Sequence, residues 1–418
     1  MKPEKMEKGG WMIFVLLLLH MLMAMIPYLF CSPILMTLAT DLSIPGEALA
    51  YVMSIFGIVS GVVMFIGFWF IDKLGYIKAF LFAVACEIVG YVLHALSPTF
   101  AVFMVARFIA AFGYGLNSTV VGSIASMWFK GKMFTAFNTL NTVGTSIGSA
   151  VAFVIALPLV EMLGNSWKNA YWVFAVVFVA YIILCAIFVK YPAGVGEALA
   201  QQKAAIKAGQ MPKPEFPMKR VLKTRNFVLL AVGSIFSMCC HNLIMTFLPT
   251  YLTTDLNFDP TTASSITGLG TLVGLVGSIL GGVLCAKTGR RKMFQVLSSV
   301  TYGVCAIVMM MTSSYVIILT MFVAMNIAFY IRMPAMSQYL VEDVQPFDPA
   351  IIAPAAALTC GAPQLANIVL SGVGSSLTLS MGIRTTLIGF AISCFVGAGA
   401  YMMMTECGPH AKKNTAQV

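Results

Sequence analysis

Residues 67 to 78 read Gly67-Phe-Trp-Phe-Ile-Asp-Lys-Leu-Gly-Tyr-Ile-Lys78, and 214 positions later residues 281 to 292 read Gly281-Gly-Val-Leu-Cys-Ala-Lys-Thr-Gly-Arg-Arg-Lys292. Each stretch is a short polar gap between two long apolar runs. At this fixed offset Gly67 meets Gly281, Gly75 meets Gly289 and Lys78 meets Lys292, while Thr40-Asp41-Leu42 falls on Thr254-Asp255-Leu256. Ungapped identities on both sides of an apolar segment indicate an internal duplication of several membrane helices.

The composition agrees. Hydrophobic residues make up 60% of the 418 and charged residues 10%, far from a soluble globular domain. The ten cysteines lie mostly inside apolar runs without metal-ligand spacing, and Cys239-Cys240 is an adjacent pair within one helix. They read as small, reduced, buried side chains, and neither a metal nor a cofactor is expected. The apolar run from Trp11 to Ala39 is too long for a signal-peptide core and is kept as the first span. Since a span needs about 20 apolar residues, the chain predicts twelve, at 11–39, 48–71, 79–97, 99–128, 134–163 and 170–189, then 226–253, 261–286, 293–313, 315–340, 349–380 and 384–405. The domains are therefore 1–189, a six-helix bundle; 190–225, a polar cytoplasmic tether; and 226–418, a second six-helix bundle with a short tail.

With the N-terminus inside, 21 of the 25 Lys and Arg fall on the cytoplasmic side, only Lys168 and Arg384 fall outside, and Arg107 and Arg332 lie within spans. That bias sets the orientation, with both termini and the tether cytoplasmic in a multi-pass plasma-membrane protein. It also explains the net charge of +10 without a nucleic-acid partner. The partners expected are a lipid bilayer and a small-molecule substrate, with the protein a monomer.

The two loops carry a resemblance. Glycine, four residues, Asp72, a basic residue, any residue and Gly75 is similar to the loop signature of the major facilitator superfamily. The first copy has Tyr76 and Ile77 where basic residues are usual, and the second keeps Gly289-Arg290-Arg291-Lys292 but has Ala286 in place of the acid. The resemblance spans nearly the whole chain. It implies an all-α membrane protein, with twelve helices in two pseudo-symmetric bundles that rock about a midplane cavity. It also implies a gating role for Gly67, Asp72, Gly75, Gly281, Gly289, Arg290 and Arg291. Arg107-Phe-Ile-Ala-Ala-Phe-Gly-Tyr-Gly115 resembles the superfamily's fourth-helix motif, with Ala111 at one small position. Drug antiporters of the family usually show a glycine-proline pair in the fifth span, where this chain has Gly148-Ser149.

Polar groups inside the bilayer are costly, so function is expected among them. Glu87 is central in the third span, and an isolated buried acid that must be neutralised would suit a proton carrier, with Arg107 as a candidate partner. His241 and Asn242 lie near the middle of the seventh span, where the repeat sets them against Pro27 and Tyr28 of the first. Asn117 pairs with Arg332 at an offset of 215. Asn141 lies in the fifth span, and Gln364 and Asn367 share a face after Pro363. Arg332 sits 17 residues from the outer end of its span, roughly 26 Å deep at 1.5 Å per residue.

No nucleotide-binding loop, metal cluster or nucleophile constellation is visible, so an enzyme is not expected. The sequence predicts a secondary transporter of a small organic anion such as a carboxylate, with Arg332, His241, Asn242, Tyr28, Asn117, Asn141, Gln364 and Asn367 as candidate substrate ligands and Glu87 and Arg107 as candidates for proton symport. Two alternatives stay open: proton-driven efflux of an apolar drug-like compound, which the many Met and Phe suit, and a transporter-like sensor that binds without flux.

Overall fold

The computed structural model describes residues 9–45, 48–129, 131–210, 217–342 and 357–407, and these are helical with short connections. The helices are α1 (Gly10–Phe30), α2 (Leu35–Asp41), α3 (Leu49–Leu74), α4 (Tyr76–Leu96), α5 (Phe100–Trp128), α6 (Gly131–Met162), α7 (Trp167–Phe188), α8 (Val195–Lys207), α9 (Pro217–Lys223), α10 (Arg225–Thr254), α11 (Pro260–Thr288), α12 (Lys292–Met310), α13 (Tyr315–Glu342), α14 (Ala362–Met381) and α15 (Ile383–Met402). Six long helices in each half give the twelve-helix plan. Among the described residues ten helices are long and apolar enough to cross a membrane, and α6 makes an eleventh candidate although its axis bends by 47° near residue 153. Pro158 explains the bend, because its ring clashes with the carbonyl four residues earlier and removes one helical hydrogen bond. The expected eleventh span begins among residues outside the described ones. Its later part is a π-helical turn, Ala357–Gly361, leading into α14.

The first expected span, 11–39, is two helices rather than one, separated by a turn at 31–34. Pro33 is the cause, since it disfavours helical geometry at Ser32 before it. The tether also carries more structure than its composition suggests: α8 covers its alanine-rich piece, and Lys203 donates to the backbone carbonyl of Asp72 at the end of α3.

The duplication is visible in the backbone. Adding 214 to the last residues of α3, α4 and α5 gives 288, 310 and 342, the last residues of α11, α12 and α13. Gly75 and Gly289 both take positive φ, 81° and 67°, which a side chain would strain. Ser43 and Asn257, also 214 apart, repeat a left-handed φ of 49° and 54°. Packing repeats too. The pairs α3–α5, α4–α5 and α4–α7 of the first half correspond to α11–α13, α12–α13 and α12–α15 of the second.

Among the described residues the chain divides into two compact units. One takes in α1 to α5, the two ends of α6, and α7 to α9; the other takes in Asn138–Val154 of α6 and α10 to α15. Within each, small residues set the helix spacing. A Cβ on Gly113 of α5 would lie 2.5 Å from the Ala83 carbonyl of α4, and one on Gly281 of α11 would lie 2.4 Å from the Ile331 carbonyl of α13. The outer surfaces are apolar. On α7, Val176, Ile183 and Ile187 are exposed while Tyr171, Phe178 and Tyr181 are buried. Such a helix, hydrophobic all round, suits lipid on one side and protein on the other.

Candidate functional site

Two buried polar clusters stand out, one in each unit. In the second unit α13 is apolar enough to hold Arg332 deep in the bundle, about 26 Å from the helix's N-terminal end and about 15 Å from its C-terminal one at 1.5 Å per residue. Arg332 is about 1% exposed. Its Nη1 donates to the Tyr401 hydroxyl of α15 at 3.0 Å, and its guanidinium carbon lies 4.7 Å from the Phe329 ring centroid. Nε and Nη2 are buried with no hydrogen-bond partner among the described residues. A snorkelling arginine would carry its head to the surface of the bundle, and this one does not.

His241 of α10 reaches the same aromatic. Its ring stacks on Phe329 at 3.8 Å and 8°, and Nδ1 stands 3.2 Å from the Tyr302 hydroxyl of α12. Phe329 thus brings together the two groups expected to meet an anion. Ser234 adds a hydroxyl 3.3 Å from that of Tyr401, and Gln295 Nε2 donates to the Arg332 carbonyl at 3.1 Å. A guanidinium lined by hydroxyls and rings, with two N–H-bearing nitrogens unused, has the chemistry to take a carboxylate oxygen. Asn242 is half-buried one residue along α10. Asn141 belongs to the α6 segment of this unit, and its Oδ1 is buried without a partner among the described residues. Gln364 and Asn367 lie on α14 with their side chains outside the described residues.

In the first unit the expected substrate ligands are engaged in the bundle itself. Tyr28 stacks on Phe56 at 4.0 Å, and its carbonyl accepts from Arg107 Nη1 at 3.1 Å. Arg107 Nε donates to the Val52 carbonyl at 3.0 Å, so this arginine ties α5 to α1 and α3. Asn117 donates through Nδ2 to Glu87 Oε1 at 2.9 Å. The acid's second neighbour is one the sequence did not single out: His20 Nε2 of α1 lies 3.6 Å from the same oxygen.

The signature loops sit at helix ends. Asp72 is exposed, and Gly75 closes the turn between α3 and α4 with the Tyr191 hydroxyl 3.2 Å from where its Cβ would be. Gly67 and Gly281 are not loop residues; both lie within helices, Gly67 against Thr119 and Gly281 against Ile331. In the second copy Arg290 is exposed. Arg291 is buried and donates to the Cys285 carbonyl. Glu406 Oε1 accepts from the Arg291 and Lys292 backbone nitrogens at 2.7 and 3.0 Å, capping α12. Among the described residues no group of three or more His, Cys, Asp and Glu is placed to hold a metal.

Comparison with known proteins gives concordant matches. The family model described as Major Facilitator Superfamily matches residues 13–352. A hexuronate transporter of Bacillus subtilis is 23% identical over 261 residues, which is 60% of this chain and 59% of that protein. A probable sulfoacetate transporter of Cupriavidus necator is 23% identical over 60% of this chain and 59% of its own length. The matched region thus spans less than two thirds of both. Among solved structures, the proton:xylose symporter XylE superposes with a TM-score of 0.74 at 16% identity, covering 96% of this chain and 97% of that one. The human organic anion transporter MFSD10 gives a TM-score of 0.72 at 14% identity, covering 94% and 99%.

Proposed function

We propose that this chain, which belongs to the Major Facilitator Superfamily, moves a small organic anion across the plasma membrane by alternating access, with a proton as the coupling ion. The family makes it a membrane-spanning transporter of small solutes. The anion is our own reading, and one observation carries it: Arg332 is buried in the second unit with Nε and Nη2 unpartnered among the described residues. A cation at the centre of a membrane helix costs about 2.5–3.5 kcal/mol on insertion scales. An anionic ligand that accepts from those donors offsets this cost. Two relatives are named for carboxylate-bearing anions, a hexuronate transporter and a probable sulfoacetate transporter, which supports the same choice.

Within this reading His241 lies beside the same ring as Arg332, Glu87 takes the proton, and Asp72 and Gly75 steady the inner ends of the first bundle. The working division is 1–189, 190–225 and 226–418, with both termini cytoplasmic because 21 of 25 basic residues fall on that side. The test is a thermal-shift screen of purified protein against D-glucuronate, sulfoacetate, other carboxylates, neutral sugars and cationic drugs. An anion should raise Tm most, and a neutral sugar or a cation in first place would overturn the reading.

A further inference from the structure

Three helices of the first unit bury a cluster with an unbalanced set of donors and acceptors. Glu87 of α4, His20 of α1 and Asn117 of α5 are each 0% exposed. Glu87 Oε1 accepts from Asn117 and lies 3.6 Å from His20 Nε2. Glu87 Oε2, both ring nitrogens of His20 and Asn117 Oδ1 have no hydrogen-bond partner among the described residues. The surroundings are largely aromatic. The His20 ring is packed by Tyr181 at 5.6 Å and by Phe80 at 5.6 Å, and the Tyr181 hydroxyl is turned away to the Leu16 carbonyl. Gly113 lets α5 press against Glu87 so closely that an added Cβ would lie 2.8 Å from Glu87 Cγ.

Charge accounting then restricts the cluster. A bare carboxylate beside a neutral imidazole would leave an uncompensated charge in a site of low dielectric, which costs several kcal/mol. Both neutral protein states, a carboxylic acid beside neutral imidazole and a carboxylate beside imidazolium, hold one proton on the pair. Among the described residues, the other titratable groups close enough to feel the Glu87 charge are Cys86 and Tyr91 on its own helix and Tyr181 on α7. None of them is basic. Arg107 of α5 is turned to the carbonyls of Tyr28 and Val52.

We propose that His20 and Glu87 form a one-proton binding site, with Asn117 as the residue that orients the carboxyl. The pair holds the proton on the Glu87 carboxyl or on the His20 ring, whose Nε2 lies 3.6 Å from Oε1, and releases it to water only when α1, α4 and α5 separate enough to wet the pair. This deepens, and rests on, the proposal that a proton is the coupling ion. It supplies the second group and the stoichiometry, and His20 is the new member.

The test needs no substrate, so it stands apart from the anion reading. Purified protein is unfolded in weakly buffered detergent at pH 7.5 and the protons released are counted. With exposed pKa values of about 4.3 for Glu and about 6.5 for His, the unfolded pair holds about 0.1 proton. Wild type should therefore release roughly one proton more than Glu87→Gln, in which every other group cancels. Equal release would overturn the proposal. Because Glu87→Gln could fold poorly, infrared spectra of the unmutated protein give an independent reading: a protonated-carboxyl or imidazolium band should be present at pH 7.5, and the absence of both overturns the site. His20→Gln should shift the Glu87 carboxyl band where the pair is acid and neutral imidazole, and should replace the imidazolium band with a carboxyl band where it is carboxylate and imidazolium. A spectrum unchanged in both regions would remove His20 from the site.

Discussion

Replacing Arg332 by lysine keeps the charge and removes the planar fork. In the structure one nitrogen of the guanidinium is held by Tyr401 at 3.0 Å, and two more have no hydrogen-bond partner among the described residues. A lysine placed there could hold either the tyrosine or the anion well, but it could not reproduce the pair of parallel bonds. The loss is about one charged hydrogen bond, worth about 1.5–3 kcal/mol, or roughly 10- to 150-fold in affinity. Removing the charge in Arg332→Ala should cost about 2–5 kcal/mol, roughly 30-fold to several thousand-fold. Folding should survive, because the substitution also relieves the cost of a buried cation and Gln295 bonds the residue's carbonyl rather than its side chain. The assay is ligand binding by thermal shift and uptake by proteoliposomes, on variants whose elution profile matches wild type. Wild-type affinity in Arg332→Lys would refute the argument, since it would mean that the fork never meets the ligand.

Other outcomes follow from the same geometry. Asp72→Asn should slow transport while leaving ligand affinity within a few-fold, and a wild-type rate would make the loop a plain connector. Gly75→Ala places a side chain at φ 81° and should lower stability by about 1–3 kcal/mol, read as a drop in Tm. Gly113→Ala drives a methyl to 2.5 Å from the Ala83 carbonyl and should cost about 1–3 kcal/mol in thermal unfolding; an unchanged Tm would mean that α4 and α5 pack loosely. Glu87→Gln should lose accumulation driven by a pH gradient while substrate exchange persists, and full gradient-driven accumulation would make Glu87 a packing acid. Single cysteines at Lys203 and Lys168 in a cysteine-free background should label from opposite sides, and impermeant labelling at Lys203 in intact cells would reverse the orientation.

Most of the fold is legible in the sequence because membrane helices announce themselves by length and composition. The expected span 99–128 is α5, Phe100–Trp128, and 315–340 lies within α13. The repeat at 214 is equally plain, because loop glycines with positive φ leave little choice of residue. The break in the first span is not legible in the hydropathy because the run stays apolar across it; Pro33 marks the turn. The site is less legible. That Arg332 and His241 share a cluster rests on Phe329, which in sequence is one phenylalanine among thirty. Tyr401 and Tyr302 meet them from separate helices, and no periodicity encodes such meetings. Asn117 and Tyr28 have partners that the sequence does not show. Their repeat partners Arg332 and Asn242 made them candidate ligands, and in the structure the Asn117 amide donates to Glu87 while the Tyr28 ring stacks on Phe56. His20 escaped notice because its neighbour lies on another helix, and a lone histidine in an apolar run carries no signal of that.

The most direct test of the central claim is flux. Radiolabelled D-glucuronate and sulfoacetate, together with any anion that raises Tm, are offered to proteoliposomes under a pH gradient. The account predicts saturable, protein-dependent uptake of an anion that Arg332→Ala abolishes. Binding of that anion without uptake would mark a sensor, and uptake confined to neutral or cationic solutes would contradict the account.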